Sequence, residues 1–100
     1  MVNKKYTVIF SDKATSMSIQ HVRFLASASP SAAEKLHREI IKEAKVLEFM
    51  PESYPWLNVE EITVNKYRKK LVEKRYLLIY QIKDNSVYVD YVVDCRQDYK

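Results

Sequence analysis

The spacing of the apolar residues changes at Pro51, and this change constrains the fold more than any other feature of the sequence. In segments 12–28 and 30–49, apolar residues recur every three or four positions, which is the period of an amphipathic helix. Beyond Pro51 the period becomes two, which is typical of strands with two different faces. Helices followed by strands predict an α+β protein in which a two-helix hairpin packs on one face of a small, mainly antiparallel sheet.

Local signals mark where the first strand and the two helices begin. Segment 6–10 is β-branched and aromatic and predicts a first strand. Ser11 or Asp12 then offers a side-chain oxygen to the unpaired N–H groups of a first helical turn. Ser29 followed by Pro30 predicts the start of the second helix, because serine caps a helix and proline suits its first position. The short link between the helices predicts an antiparallel αα-hairpin.

Three strands are predicted in the second half of the chain, over 67–72, 75–82 and 87–94. Asn85 lies in the turn between the last two strands and is expected to take a positive φ in place of glycine. Along the last strand we expect one face to carry Val87, Val89, Tyr91 and Val93 and the other to carry Tyr88, Asp90, Val92 and Asp94. The predicted order is therefore β-α-α-β-β-β, within a single domain that spans residues 1–100.

The chain contains no glycine, and this absence excludes several kinds of site. Dinucleotide-binding turns, phosphate-binding P-loops and nucleophile elbows all need glycine for their tight turns or close approaches. His21 and His37 are the two histidines and Cys95 is the single cysteine, so neither an internal disulfide nor a Cys-rich or His-rich metal site is expected. We therefore predict no cofactor and no metal.

The sequence also carries no segment that predicts a membrane or an export route. No run approaches the roughly 18 apolar residues of a membrane-spanning helix, and the N-terminal residues lack the apolar core of a signal peptide. A single cysteine suits a reducing compartment. We therefore expect a cytoplasmic protein without a membrane partner.

Positive charge is concentrated in the C-terminal third of the chain. Residues 66–100 contain nine basic and five acidic side chains, which accounts for the whole net charge of +4. Six of the ten residues in 66–75 are basic, namely Lys66, Arg68, Lys69, Lys70, Lys74 and Arg75. Tyrosines are interleaved with basic residues in this part of the chain. This composition favours either a nucleic-acid surface or a solvated, lysine-rich strand that protects a sheet edge.

The C-terminal segment 94–100 brings together groups that suit phosphate chemistry. Arg96 can neutralise a phosphate through paired hydrogen bonds. Asp98 and Tyr99 can take part in proton transfer. Polar C-terminal tails that only face solvent are also common, so the residues alone leave both interpretations open.

The order of elements, the strand sequence RYLLIYQI, the Asp84–Asn85 hairpin and the ending CRQDY together resemble the RelE/ParE superfamily of toxins from type II toxin–antitoxin systems. The resemblance covers nearly the whole chain and is strongest over 67–99. It implies a toxin that an antitoxin holds inactive. It further implies one of two activities: toxins of the RelE and YoeB branches cut mRNA in the ribosomal A site without a metal, whereas those of the ParE branch inhibit DNA gyrase.

Carried over by position, the resemblance assigns Arg96, Asp98 and Tyr99 to the active-site segment at the C-terminus of the superfamily. Asp98 lies where the YoeB branch has a catalytic histidine. The central-strand arginine of relatives aligns with Leu77, and Arg75, two residues earlier on the same face, is expected to replace it. The catalytic set implied is Arg75, Arg96, Asp98 and Tyr99. The resemblance implies RNA binding by Lys69 and Lys70, and the basic run of 66–75 adds Lys66, Arg68 and Lys74 to the predicted RNA-binding set.

From these features we predict a ribosome-dependent, metal-independent mRNA endonuclease that inhibits translation. Two alternatives stay open: a ParE-like gyrase inhibitor that is not an enzyme, and a homologue with weakened activity that binds its antitoxin. The antitoxin is expected to place an acidic segment on the basic surface of 66–100. Arg75 and Arg96 are expected on the face of the sheet away from the helices, and the helix stripe that includes Leu36 and Ile40 is expected to pack on the other face.

Overall fold

A computed structural model describes residues 5–58 and 64–95. The helices are α1 (Asp12–Ala26) and α2 (Pro30–Leu47), followed by a 3-10 turn at Pro51–Ser53. The strands are β1 (Thr7–Phe10), β2 (Trp56–Leu57), β3 (Tyr67–Val72), β4 (Tyr76–Lys83) and β5 (Ser86–Asp94). These elements confirm the predicted order, to which the two-residue strand β2 is an addition.

The five strands form one mixed sheet in the order β1-β5-β4-β3-β2. β1 runs parallel to β5, with Thr7 opposite Ser86, and the other neighbouring strands are antiparallel. β1 and β2 are therefore the two edges of the sheet. The prediction of a small, mainly antiparallel sheet is confirmed.

Serine side chains cap both helices, as the sequence predicts. Ser11 Oγ accepts a hydrogen bond from the N–H of Ala14 at 2.9 Å, and Ser29 Oγ accepts one from the N–H of Ala32 at 3.2 Å. Pro30 occupies the first turn of α2, where its missing N–H costs no helical hydrogen bond. No helix within the described residues is long and apolar enough to cross a membrane.

The main core lies between the helices and one face of the sheet, which we call the helix-side face. Leu36 and Ile40 of α2 are buried there, so the predicted helix stripe packs on the sheet as expected. The strand residues buried with them are Val72, Tyr76, Leu78, Tyr80, Val87, Val89 and Val92. A smaller buried cluster of Leu57, Leu77 and Ile79 lies on the opposite face, which we call the outer face. β4 contributes to both clusters because successive strand residues point to opposite faces.

A β-bulge at Asp90 changes the alternation along β5. Two consecutive residues of β4, Ile79 and Tyr80, lie opposite Tyr91 and Val89, so Asp90 is an extra residue in β5. The remainder of β5 is shifted by one position, and Tyr91 packs on the outer face and not with Val89. The predicted alternation is therefore confirmed before Asp90 and wrong after it.

The tight turns adopt left-handed backbone conformations without glycine. Glu73 and Lys74, between β3 and β4, have φ of 55° and 57°, as in the hairpin turn that best matches strand twist. In the next hairpin the left-handed residue is Asp84, with φ of 56°, so the prediction for Asn85 is wrong. Aspartate tolerates this conformation because its short polar side chain can hydrogen-bond locally. The carbonyl of Asn85 instead accepts a hydrogen bond from the N–H of Thr7 at 3.0 Å, which joins the turn to β1.

Candidate functional site

Arg75 lies beside the helices, and the prediction that it faces away from them is wrong. Its Nη2 lies 2.9 Å and its Nε 3.1 Å from Oδ2 of Asp94. The side chain of Arg75 is 19% exposed and that of Asp94 is 3% exposed, so water has little access to the pair. The hydrogen bonds to Asp94 raise the pKa of Arg75 above its ordinary value. The physical reason for the misplacement is the bulge at Asp90, which turns Asp94 toward the helices, where it binds the guanidinium.

Aromatic and helical residues complete the surroundings of this ion pair. The guanidinium carbon of Arg75 lies 5.0 Å from the ring centroid of Tyr76. The ring centroid of His21 lies 5.0 Å from the same tyrosine ring. Leu25 and Leu36 of the two helices help to line a cavity of about 310 Å³ next to Arg75. Asp94 therefore offsets the positive charge of this arginine before any phosphate binds.

Lys70 also contacts the helical layer. Its Nζ lies 2.9 Å from Oε1 of Glu43 on α2, and the two side chains are 12% and 19% exposed. The ammonium also lies 4.2 Å from the ring centroid of Tyr54. Burial lowers the pKa of Lys70, but the hydrogen bonds to Glu43 and Tyr54 outweigh burial and raise the pKa above its ordinary value. Lys70 therefore joins β3 to α2, with its charge already neutralised.

The basic residues assigned to RNA binding are divided between the two faces of the sheet. Arg68 and Lys70 lie opposite helix-side residues of β4, whereas Lys69 lies opposite a residue of the outer face. Lys66 and Lys74 are exposed near the two ends of β3. Because neighbours in a strand alternate between faces, this run of basic residues does not form one continuous surface.

Arg68 stacks on a tryptophan at the β2 edge of the sheet. Its guanidinium carbon lies 3.7 Å from the ring centroid of Trp56, and its Nη1 donates a hydrogen bond to the carbonyl of Tyr54 at 2.7 Å. Trp56 is 38% exposed. The sequence predicts only an irregular segment over 51–56, because neither Pro51 nor Pro55 continues a helix.

A polar cluster on the outer face was not predicted from the sequence. Oδ2 of Asp90 accepts hydrogen bonds from Oη of Tyr67 at 3.1 Å and from Nε2 of Gln81 at 2.8 Å. Burial, followed by the hydrogen bond to Asp90, raises the pKa of Tyr67 to about 12. Tyr67 therefore stays protonated near neutral pH. These three residues lie on different strands, and no motif in the sequence links them.

An apolar groove opens between the two helices at the β1 edge. Its volume is about 580 Å³, and Val8 and Phe10 of β1 lie among its lining residues. Ile19 of α1 and Ile41 of α2 also line it, and each of these isoleucines is 45% exposed. The lining also includes two basic residues, Arg23 and Lys45, together with His37 and the acidic Glu48. The groove is thus apolar with a mainly basic rim.

Three residues of the predicted catalytic set, Arg96, Asp98 and Tyr99, lie outside the described residues. Their predicted roles therefore stay predictions. Within 5–58 and 64–95, no group of three or more His, Cys, Asp or Glu side chains is arranged to hold a metal ion.

Comparisons with known proteins agree with this fold. A family model described as the ParE toxin of the type II toxin–antitoxin system parDE matches residues 8–99. Among solved structures, the chain is similar to one from the chromosomal ParDE toxin–antitoxin system of P. aeruginosa, with a TM-score of 0.74 and 13% sequence identity. That match covers 91% of this chain and 97% of the other. A search of curated proteins gave no match. Because the family model covers nearly the whole sequence, the chain belongs to the ParE family, and it is a RelE/ParE-superfamily toxin of a type II toxin–antitoxin system.

Proposed function

We propose that this toxin acts by binding DNA gyrase and blocking its activity, and that a cognate antitoxin neutralises it. The observation that carries the proposal is the ion pair between Arg75 and Asp94, whose Nη2 and Oδ2 atoms are 2.9 Å apart. A site that cleaves a phosphodiester needs cationic donors aimed at the reacting phosphate. The arginine predicted for that task is held by a buried carboxylate. Gyrase is the target that membership of the ParE branch implies.

If the toxin cleaved mRNA, nearly all of its catalytic groups would have to come from the C-terminal segment 94–100. Lys70 is neutralised by Glu43, and Tyr67, with a pKa of about 12, is protonated at neutral pH. Neither side chain is suited to stabilise a transition state or to accept a proton from a ribose hydroxyl. Arg96 and Tyr99 would then have to supply most of the chemistry. An inhibitor that acts by binding a protein needs no such catalytic groups.

The two activities are separated by parallel assays on the purified toxin. We expect the wild-type chain to block DNA supercoiling by gyrase and to leave mRNA intact on 70S ribosomes. Tyr99→Phe removes a single hydroxyl, so it is expected to leave gyrase inhibition unchanged. Supercoiling is measured on agarose gels and mRNA cleavage by primer extension.

A second variant and the antitoxin complete this test. Arg96→Ala removes the charge assigned to a phosphate, so a nuclease would lose its cleavage in both variants. Ribosome-dependent cuts that disappear in Arg96→Ala and Tyr99→Phe, together with normal supercoiling, would overturn the proposal and establish the mRNA endonuclease. Added antitoxin should restore supercoiling, which is the control for specific inhibition.

The apolar groove between the helices is the surface that we assign to the antitoxin. Ile19 and Ile41 are exposed within it, and a partner that buried them would gain binding free energy by removing their apolar surface from water. Arg23 and Lys45 at the groove would attract an acidic partner segment. The basic surface of 66–100 is the alternative, but Lys70 and Arg75 within it already have acidic partners.

A substitution in the groove tests this assignment. Ile41→Asp is expected to weaken antitoxin binding by about ten- to a hundredfold, because it places a carboxylate in an apolar contact and repels an acidic segment. Lys66→Ala, on the alternative surface, should leave the affinity within about twofold. Isothermal titration calorimetry with the purified antitoxin measures both. An unchanged affinity in Ile41→Asp, or a large loss in Lys66→Ala, would move the antitoxin to the basic surface.

A further inference from the structure

The stack of Arg68 on Trp56 lies at the opposite edge of the sheet from the apolar groove. The two residues face each other across β2 and β3, so both side chains lie on the same face. The guanidinium carbon is 3.7 Å from the ring centroid, and Trp56 is still 38% exposed. The strand order places β5 and β4 between this stack and the β1 edge. A partner at the stack and a partner in the groove would therefore use different surfaces.

The charge of Arg68 is less well compensated than the charges of Lys70 and Arg75. Lys70 has Glu43 and Arg75 has Asp94, each at 2.9 Å. No carboxylate lies within 4.0 Å of Arg68 in the part of the chain that the structure describes. Its Nε is buried without a hydrogen-bond partner there, and Nη1 donates to a backbone carbonyl. A half-buried guanidinium that lacks an acidic partner is costly, and a carboxylate supplied by another molecule would remove that cost.

We infer that the Trp56–Arg68 stack is a contact through which the toxin holds its protein target, with Arg68 binding a carboxylate of an acidic segment and Trp56 packing on apolar surface beside it. This inference rests on the proposed function. Tryptophan and arginine are the residues most often found at the energetic centre of protein interfaces. The stack also fixes the guanidinium before binding, which lowers the entropy lost on association.

The observations favour a protein target over a nucleic acid at this stack. Affinity for a nucleic-acid backbone depends on several cations that each neutralise a phosphate. Lys70, the neighbouring cation on this face, is already paired with Glu43. Lys69 points to the outer face. One guanidinium beside an exposed indole is suited to a protein surface that offers one carboxylate surrounded by apolar groups.

Two variants of the full chain test the inference. Arg68→Met keeps the length of the side chain but removes its charge, and Trp56→Ala removes the exposed ring while leaving Arg68 in place. Each is expected to weaken the affinity for purified, DNA-free gyrase, and the inhibition of supercoiling, by about ten- to a hundredfold. The affinity for the antitoxin and the urea midpoint should stay close to wild type. Arg38→Met on α2, where Arg38 is paired with Glu34 in an exposed contact, is the matched control and should change none of these values.

Each outcome decides between the possibilities. If wild-type toxin inhibits gyrase and both variants inhibit it equally well, the inference is overturned while the proposed function stands. If wild-type toxin neither binds nor inhibits gyrase, the proposed function fails, and the inference fails with it. If the variants lose affinity for the antitoxin but inhibit gyrase as the wild type does, the stack binds the antitoxin and the inference is overturned. If they instead lose affinity for naked DNA, the stack binds a nucleic acid and the inference is again overturned. If Arg68→Met does not fold, Trp56→Ala alone decides the result.

Discussion

Replacing Asp94 with alanine is expected to lower the free energy of unfolding by about 3–5 kcal/mol. Asp94 is 3% exposed as a side chain and accepts two hydrogen bonds from Arg75, whose side chain is 19% exposed. Without the carboxylate, the guanidinium stays half-buried and loses its charged partner. The cost of that uncompensated charge is larger than the net contribution of the intact pair. Urea denaturation of the wild type and the variant measures the difference.

Two controls distinguish the buried pair from ordinary surface charge. The double variant Arg75→Leu with Asp94→Leu removes both charges together, so it should recover most of the lost stability. Glu34→Ala breaks an exposed ion pair with Arg38 and should cost less than about 1 kcal/mol. An Asp94→Ala protein that loses under about 1 kcal/mol would contradict the assignment, because Arg75 would then be well solvated without its partner.

Leu36→Ala is expected to cost about 2–5 kcal/mol of unfolding free energy. Leu36 is 2% exposed and packs in the main core between α2 and the sheet. The substitution removes apolar contacts and leaves a cavity that the surrounding helix and strands fill only in part. For a domain whose total stability is typically about 5–15 kcal/mol, this is a substantial share. Chemical denaturation monitored by circular dichroism provides the measurement.

The matched control for Leu36 lies on the same helix. Ile41→Ala removes a similar apolar group, but Ile41 is 45% exposed at the groove, so we expect a loss below about 1 kcal/mol. Equal losses in the two variants would show that the groove belongs to the stabilising core. A small loss at Ile41 would also show that a weaker binding of the antitoxin after substitution at this position does not come from unfolding of the toxin.

The layers of the fold could be predicted from the sequence because they follow from local chemistry. Ser29 and Pro30 give a helix start that does not depend on distant residues. The alternation of β4 is regular along its length, so Leu77 and Leu78 lie on opposite faces, as a period of two predicts. The helix stripe of α2 likewise repeats often enough to identify its buried side.

The position of Arg75 could not be predicted, because it depends on one extra residue in another strand. Without the bulge at Asp90, the alternation of β5 would place Asp94 on the outer face. A bulge leaves the composition of a strand almost unchanged and is specified by its pairing with the neighbouring strand. The predicted strand 75–82 instead begins at Tyr76, so Arg75 lies in the turn before β4, and its guanidinium binds Asp94 on the helix-side face. The Trp56–Arg68 stack could not be predicted for the same reason, because it forms only when β2 pairs with β3.

The parallel pairing of β1 with β5 sets the order in which the molecule can assemble. Tight turns join β3, β4 and β5, so their contacts close short loops. β1 is different, since Ser11 at its end hydrogen-bonds to the carbonyl of Asp90, 79 residues away in sequence. Contacts between such distant segments carry the largest entropic cost of loop closure and form slowly. During synthesis β1 leaves the ribosome early but joins the sheet only after β5 has been made. The groove next to β1, which we assign to the antitoxin, is consequently among the last surfaces of the toxin to form.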